Sequence, residues 1–504
     1  VHLSFKTLRF DFKQGLVATD VSFYSDERQL VPLLEGSKMA LDLDKTEALR
    51  GKFKLHSLTI IDGTAHIPID HDGRNVIAQD IHGKVRITES GRIIVDGASG
   101  LIEGLRVNLS TDLRISKIKS TDDAPKPPET LESNHVIKKA LDELALWTFS
   151  AEAPPQLAFK IKGDLDSPEQ LQTSFRLNAV QLKRNQYQLR KLLIAGDLQA
   201  QIITLDEILL QDESGSASGQ ADWCISRNDG RFDLNSDLHV QDFLNNCFDV
   251  KVLKDLTISG TPPVLKINGS FSSRESGGFL VTANGHGNIN KFSFLETNFD
   301  KLSSDFSWKD GDLYLRDLEV IREGDHLSGN IMRQGDQVRF DLMSSLPLKA
   351  FKPFIKADGP LEQALAHVTF SENSTIALDV IGTLYLGDRT DWSATGTVLL
   401  NDLTYKGTRF HHLATSYQIA PDKAEFFDIE GLLNDDQESI RRRYNSAASD
   451  PIYVERILHD LETNLITIEN LRGKAWATPI VRIFAPDTAK HIEETYRFHS
   501  PPSL

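Results

Sequence analysis

Cysteine and methionine are scarce in this chain of 504 residues, which holds two of the first and three of the second. Two thiols, Cys224 and Cys247, exclude a disulfide-stapled scaffold; they either form one bond in an oxidising compartment or stand unpaired. Positive charge is not in excess: 56 Lys and Arg stand against 72 Asp and Glu, a formal net charge of −16. With no dominant basic patch, nucleic acid is not an expected partner. No run of ~20 apolar residues occurs to span a bilayer, and no signal peptide is recognisable. The nucleotide, hydrolase and zinc-protease motifs are missing as well. Gly285-His-Gly287 lacks the third glycine and the following helix of a dinucleotide fingerprint. No enzyme activity and no cofactor are therefore expected, although glycosidase carboxylates, which pair in space, leave a β-rich carbohydrate-active enzyme open as the lesser reading.

What the chain does have is repetition. Phe232-Asp-Leu-Asn-Ser-Asp-Leu-His-Val240 is matched by Phe340-Asp-Leu-Met-Ser-Ser-Leu-Pro-Leu348 and by Val107-Asn-Leu-Ser-Thr-Asp-Leu-Arg-Ile115. Apolar residues fall at positions one, three, seven and nine, which predicts strands with one dry and one wet face. After these copies the pattern predicts helices over about Thr130 to Trp147, over Asp242 to Phe248 and over Phe351 to Ile355. The chain then re-enters strand through a double proline at Pro154-Pro155 and Pro262-Pro263, and ends on a third at Pro501-Pro502. Two prolines exclude helix and force extended backbone. A second pattern opens at Ile81, Leu192, Leu302 and Leu413, a period of about 110 residues.

These signals divide the chain into an N-terminal β region (1–118), a linker with an amphipathic helix (119–153), and β repeats over 154–261, 262–360 and 361–500. The last repeat carries a helical insertion at 435–460, with Arg441-Arg442-Arg443 and a helix predicted over Pro451 to Leu458; a strand is predicted over Pro479 to Phe484 and a helix over Ala489 to Tyr496. Residues 501–504 read as the start of a further repeat, and the opening inside a strand at Val1 marks the chain as a piece of a longer protein. The length exceeds what one compact core holds, ~250–300 residues. Roughly 30 alternating strands present more apolar surface than a soluble protein leaves open. The sheet is therefore expected either to close into β-sandwich repeats or to curve strongly about an apolar trough; periodicity does not separate the two.

The layout resembles the AsmA-like family of envelope proteins, which includes the TamB-like members. The resemblance is carried by Leu8-Arg-Phe-Asp-Phe12, Gly15 to Phe23, Leu41-Asp-Leu-Asp44, Leu55 to Ile67, Ala394 to Gly407, and the close from Ala489 to Pro502 with Tyr496-Arg-Phe-His499. The chain departs from the family in lacking the N-terminal membrane helix and in the insertion after Leu433. The resemblance implies a mainly β fold with a few short helices: an elongated, repetitive, strongly curved antiparallel sheet forming an apolar groove. It implies a periplasmic protein of the Gram-negative envelope, anchored in the inner membrane by a helix absent here, with outer-membrane proteins among its partners. It implies non-enzymatic transfer of phospholipid or another acyl lipid toward the outer membrane. On that reading Val107, Leu109, Leu113, Ile115, Phe232, Leu234, Leu238, Val240, Phe340, Leu342, Leu346 and Leu348 line the groove. From the residues alone they read as ordinary sandwich core, the filled core of a structural or adhesive β-repeat envelope protein, which stands as the alternative to lipid transfer.

Other clusters carry less. His66, Asp70, His71 and Asp72 do not converge from one face of a strand, and Asp70-His-Asp-Gly73 makes a good turn. No metal is therefore expected. His411 and His412 point to opposite faces of any strand. Arg441 to Arg443 read as a solvated loop, with contact to anionic headgroups as the alternative.

Overall fold

The computed structural model describes the chain except residues 1, 12–13, 25–31, 45–54, 69–74, 89, 115–141, 168–169, 249–255, 275–277, 348–349, 351–365, 387–390, 434–449, 464, 497–500, 502 and 504. Among the described residues, 27 strands outnumber three named helices. The chain divides into two compact units, Val1–Lys251 with Lys266–Leu280, and Val252–Leu265 with Val281–Leu504.

In the first unit, β1 (His2–Ser4) and β2 (Thr7–Asp11) both pair with β3 (Gly15–Tyr24). The chain then meanders through β4 (Pro32–Leu43), β5 (Leu55–Pro68), β6 (Asn75–Ile87), β7 (Arg92–Ile102) and β8 (Leu105–Arg114), each antiparallel to the last. The next strand, β9 (Gln156–Asp164), is parallel to β8, with Val107 opposite Leu157 and Leu109 opposite Phe159. Parallel neighbours need a long crossover, and residues 115–155 supply it. The meander resumes through β10 (Gln172–Arg184), β11 (Tyr187–Gln199), β12 (Ile202–Gln211), β13 (Ser216–Cys224) and β14 (Asp229–Ser236). Helix α1 (Val240–Phe248) follows, and past the double proline β16 (Val264–Ser273) returns to pair with β14.

In the second unit, β15 (Leu256–Ile258) pairs with β17 (Phe279–Phe294). An antiparallel meander runs on through β18 (Thr297–Lys309), β19 (Asp312–Arg322), β20 (Asp325–Gln334), β21 (Gln337–Ser344), β22 (Val368–Tyr385), β23 (Trp392–Tyr405), β24 (Thr408–Ile419), β25 (Lys423–Leu433), β26 (Ile452–Asp460) and β27 (Leu465–Glu469). Helices α2 (Ala477–Phe484) and α3 (Pro486–Thr495) follow.

One structural module recurs at the spacing of about 110 residues. In its first strand one residue takes positive φ, at Gln181 (54°), Lys291 (49°) and Asp402 (54°), while the pairing register stays the same on either side of it. This kink shifts the alternation of side chains along the strand, so that buried residues fall three apart across it, Ala179 and Leu182 in the first case. A two-residue turn follows in each copy: Asn185-Gln186, Leu295-Glu296 and Lys406-Gly407. The next strand then buries Leu189, Phe299 or Phe410 beside its partner. A bulge lies further on, opposite Ser304 and Thr415. Ser304 Oγ donates to Arg316 O at 3.0 Å, and Thr415 Oγ1 to Phe427 O at 2.9 Å, so each hydroxyl fills the gap that the ladder leaves open.

Three apolar clusters close these modules. Leu182, Tyr187, Leu189 and Cys247 form one under α1, with Trp147 and Phe243 packed against them. Phe292, Phe299, Leu318 and Val320 pack with Leu346 and Ala350 of the segment after β21. Leu403, Phe410, Leu433 and Val454 pack with Ala475 and with Ile480 and Ile483 of α2.

These clusters correct the expected architecture. The mainly β, repeating character holds, but the strongly curved sheet with an apolar groove is not found. Among the described residues, apart from β1 with β3, β14 with β16 and β15 with β17, strands pair with sequential neighbours, and no pairing returns from the last strand of a meander to its first. No ladder closes either meander on itself, and closed sandwich repeats are not found either. The physical reason is local: short capping elements bury the largest side chains within each module, and much of the remaining apolar face stays half-exposed.

Two predicted elements change type. Pro451 to Leu458 is strand, not helix: Ile452 and Val454 are buried with Tyr453 exposed between them, a period of two. Pro479 to Phe484 is helix, not strand, with Ile480 and Ile483 on one face. Short apolar runs carry no decisive period, and these two were decided by what they pack against. The motif strands at Phe232 and Phe340 also stop early, at Ser236 and Ser344. Each serine accepts the N–H two residues on, from Leu238 at 3.2 Å and from Leu346 at 3.0 Å, and turns the chain out of the ladder. The helix predicted over Phe351 to Ile355 lies outside the described residues, as does most of that over Thr130 to Trp147.

The turn Leu295-Glu296 gives a stability prediction. Both residues hold positive φ, 46° and 65°, in a hairpin turn that favours Asn-Gly. Glu296→Gly should stabilise the protein by about 0.5–1 kcal/mol by relieving the side-chain strain. A rise in the denaturant midpoint at unchanged slope checks this; a fall would show that the turn is not strained.

Candidate functional site

The residues expected to line a groove scatter over several environments. Val107, Leu109 and Leu113 are half-buried on β8; Phe232 and Leu234 are half-buried on β14, as are Phe340 and Leu342 on β21. Leu238 and Leu346, both 3% exposed, lie beyond the strand ends in closed packing. Val240 opens α1, while Ile115 and Leu348 lie outside the described residues. Leu234 faces Gly219 and Leu342 faces Gly329 across the ladder, and a Cβ at either glycine would collide with the neighbouring carbonyl. Each of the two leucines therefore stands opposite a glycine of the preceding strand that has no room for a side chain.

Two shallow, open depressions lie in the second unit. One of about 600 Å³ lies over Ser344, Leu378, Val398, Leu399, Ala414 and Thr415; the other, of about 490 Å³, lies over Tyr314, Ile331, Phe340, Ile381, Thr383 and Thr395. Neither holds a reaction centre. Ser345 Oγ is 3.5 Å from His326 Nδ1, but it also accepts the His326 backbone N–H at 2.9 Å, and among the described residues no carboxylate orients the imidazole. Ser344 and Thr415 spend their hydroxyls on the backbone. With no continuous apolar groove, phospholipid transfer along one lacks its physical path, and that expectation is corrected.

The strongest cluster of metal-ligand types is Asp62, Asp80 and His82, whose ligand atoms lie within 4.8 Å of one another. Both aspartates sit at positive φ in strand bulges, 51° and 56°. His82 Nε2 is 3.2 Å from Asp62 and 3.1 Å from Asp80, so one imidazole nitrogen already serves both carboxylates. All three side chains are largely exposed, as for a surface ion pair. The sequence pointed instead to His66 and to Asp70, His71 and Asp72; His66 is half-buried on β5, and the others lie outside the described residues. His411 and His412 hydrogen-bond separately, to Asp402 and to Asn401, each at 3.1 Å. Arg441 to Arg443 also lie outside the described residues.

The most perturbed groups are structural. Burial pushes the Tyr187 hydroxyl well above the ordinary tyrosine range, and its bond to Asp212 at 2.9 Å adds to this. Burial alone would raise the Asp212 carboxyl. Hydrogen bonds from Ser214 Oγ (2.7 Å), Gly215 N (2.9 Å), Ser214 N (2.6 Å) and Tyr187 outweigh it and hold Asp212 below the usual carboxylate range. Burial pushes Tyr417 up to about 12. Glu425 is held low by Arg456 at 2.6 Å and Lys423 at 3.4 Å. Cys224 and Cys247 are both buried and unbonded. None of these groups faces a cavity with a second reactive partner.

No protein-family model, no curated protein and no solved structure matches this chain.

Proposed function

We propose that this chain is a non-catalytic β-repeat scaffold, whose work is done by a regular ladder and its edges. The observation that carries the reading is the module itself. Positive-φ kink, two-residue turn and capped cluster recur at 181–189, 291–299 and 402–410, each with its own set of contacts. Stacked units that bury their own cores give length and surface without a reaction centre. The residues quoted for the AsmA-like resemblance support a place in that family and a periplasmic setting, as part of this proposal.

Removing residues 299–409 joins Asn298 to Phe410 at the equivalent point of the next module. The scaffold reading expects a shorter chain that folds cooperatively with unchanged ellipticity per residue. A stoichiometric small molecule retained through native mass spectrometry, or turnover on a glycan panel, would overturn the reading.

A further inference from the structure

Twice in this chain a double proline leads into a strand that docks on an earlier one. Past Pro154-Pro155, β9 docks along β8, with Arg106 N donating to Pro155 O at 2.8 Å. Past Pro262-Pro263, β16 docks along β14, and Ser273 N donates to Asn228 O at 3.0 Å, so this pair runs antiparallel. In both cases the receiving strand carries a copy of the nine-residue motif, and in both the incoming strand has apolar residues at alternate positions: Leu157, Phe159 and Ile161, or Leu265 and Ile267.

A third such arrangement begins at β27. On one side β27 pairs with β26, from Leu465 opposite Asp460 to Glu469 opposite Arg456. Further on, Arg472 bridges to Tyr453, and Lys474 forms an antiparallel bridge with Ser503, the residue after Pro501-Pro502. Among the described residues no strand pairs with the outer edge of Leu465–Glu469. All five of its residues are exposed, Leu465 at 64%, Ile466 at 45% and Ile468 at 40%. Natural edge strands are blunted by lysine, proline or covering loops. Leu-Ile-Thr-Ile-Glu has none of these, and a bare apolar edge is a template for strand addition.

We infer that the outer edge of β27 is a docking edge for an extended, double-proline-led strand with apolar residues at alternate positions, added antiparallel from Lys474 toward Leu465. The occupant is a strand of the kind this chain itself supplies at 262–271. The edge does not depend on the scaffold reading, since an enzyme could carry it equally well.

The test uses the full chain and a fluorescent peptide copying Pro262 to Phe271, read by anisotropy. A control peptide has serine in place of Leu265 and Ile267. Consecutive strand N–H groups point to opposite sides, so of Thr467→Pro and Ile468→Pro only one removes a donor from the outer edge. The expected result is saturable binding, about tenfold weaker for the control peptide, and about tenfold weaker for one proline variant whose thermal unfolding is unchanged. Peptide-induced protection of the β27 amides from hydrogen exchange provides the same reading if both proline variants melt the strand. Binding that both prolines leave intact, or no added protection in 465–469, would overturn the inference. Self-association through this edge that the peptide does not compete would overturn it in favour of a second copy of the chain.

Discussion

Asp212→Ala should destabilise the first unit by about 3 kcal/mol, since each hydrogen bond to a buried charge contributes ~1.5–3 kcal/mol and their loss leaves partners stranded. The carboxylate is 6% exposed and accepts four hydrogen bonds, from Tyr187 Oη and from the hydroxyl and two backbone N–H groups of the Ser214-Gly215 turn. Because its pKa is depressed in the folded chain, the stability it contributes is present above the unfolded value of about 3.9 and is lost as pH falls toward the folded value. Tyr187 acts with the opposite sign. Its raised pKa favours the neutral phenol, so that contribution is intact below about pH 10 and is lost as pH rises beyond. Urea unfolding of wild type and variant from pH 3 to pH 11 reads both limbs. An acid limb equally steep in the variant would show that Asp212 is not the group responsible.

Leu189→Ala should cost about 2–5 kcal/mol, the range for truncating a fully buried leucine. Leu189 is 1% exposed and packs with Leu182, Tyr187 and Cys247 beneath α1. The loss should stay within its module. Amide exchange should accelerate across β10, β11 and α1 while the amides around Phe299 and Phe410, in their separate clusters, keep their protection. Uniform acceleration over all three clusters would mean that the modules unfold as one.

The strands were legible because their side chains alternate, and the period was legible in Leu192, Leu302 and Leu413, each of which packs against one of the three clusters. The positive-φ kinks were harder to see. Gln181, Lys291 and Asp402 share a φ sign but no residue type, so only their spacing could have revealed them. Ser304 and Thr415 had the clearer signal, a hydroxyl at matching places. Curvature was not legible at all: an alternating strand has the same pattern whether its apolar face meets a trough, a second sheet or a short cap. Likewise Asp62, Asp80 and His82 come together through the register of β5 with β6, in which Gly63 faces Ile81, and a single chain reading carries no register. In sequence the leucines of the repeated motif have the pattern of a lining, whereas two of the most buried, Leu238 and Leu346, fasten the chain where it leaves the ladder.

The parallel pairing of β8 with β9 has a consequence for how the molecule assembles. Hairpins such as β10–β11 or β17–β18 join residues that are close in sequence and can form early from any starting point. The β8–β9 ladder instead waits for a loop of some forty residues to close, an entropic toll that grows with the logarithm of its length. Folding should therefore proceed as separate nuclei on either side of residues 115–155, with the seam between β8 and β9 sealed after both have formed. A chain emerging from the ribosome would then expose the bare edge of β8 until the second nucleus arrived to cover it.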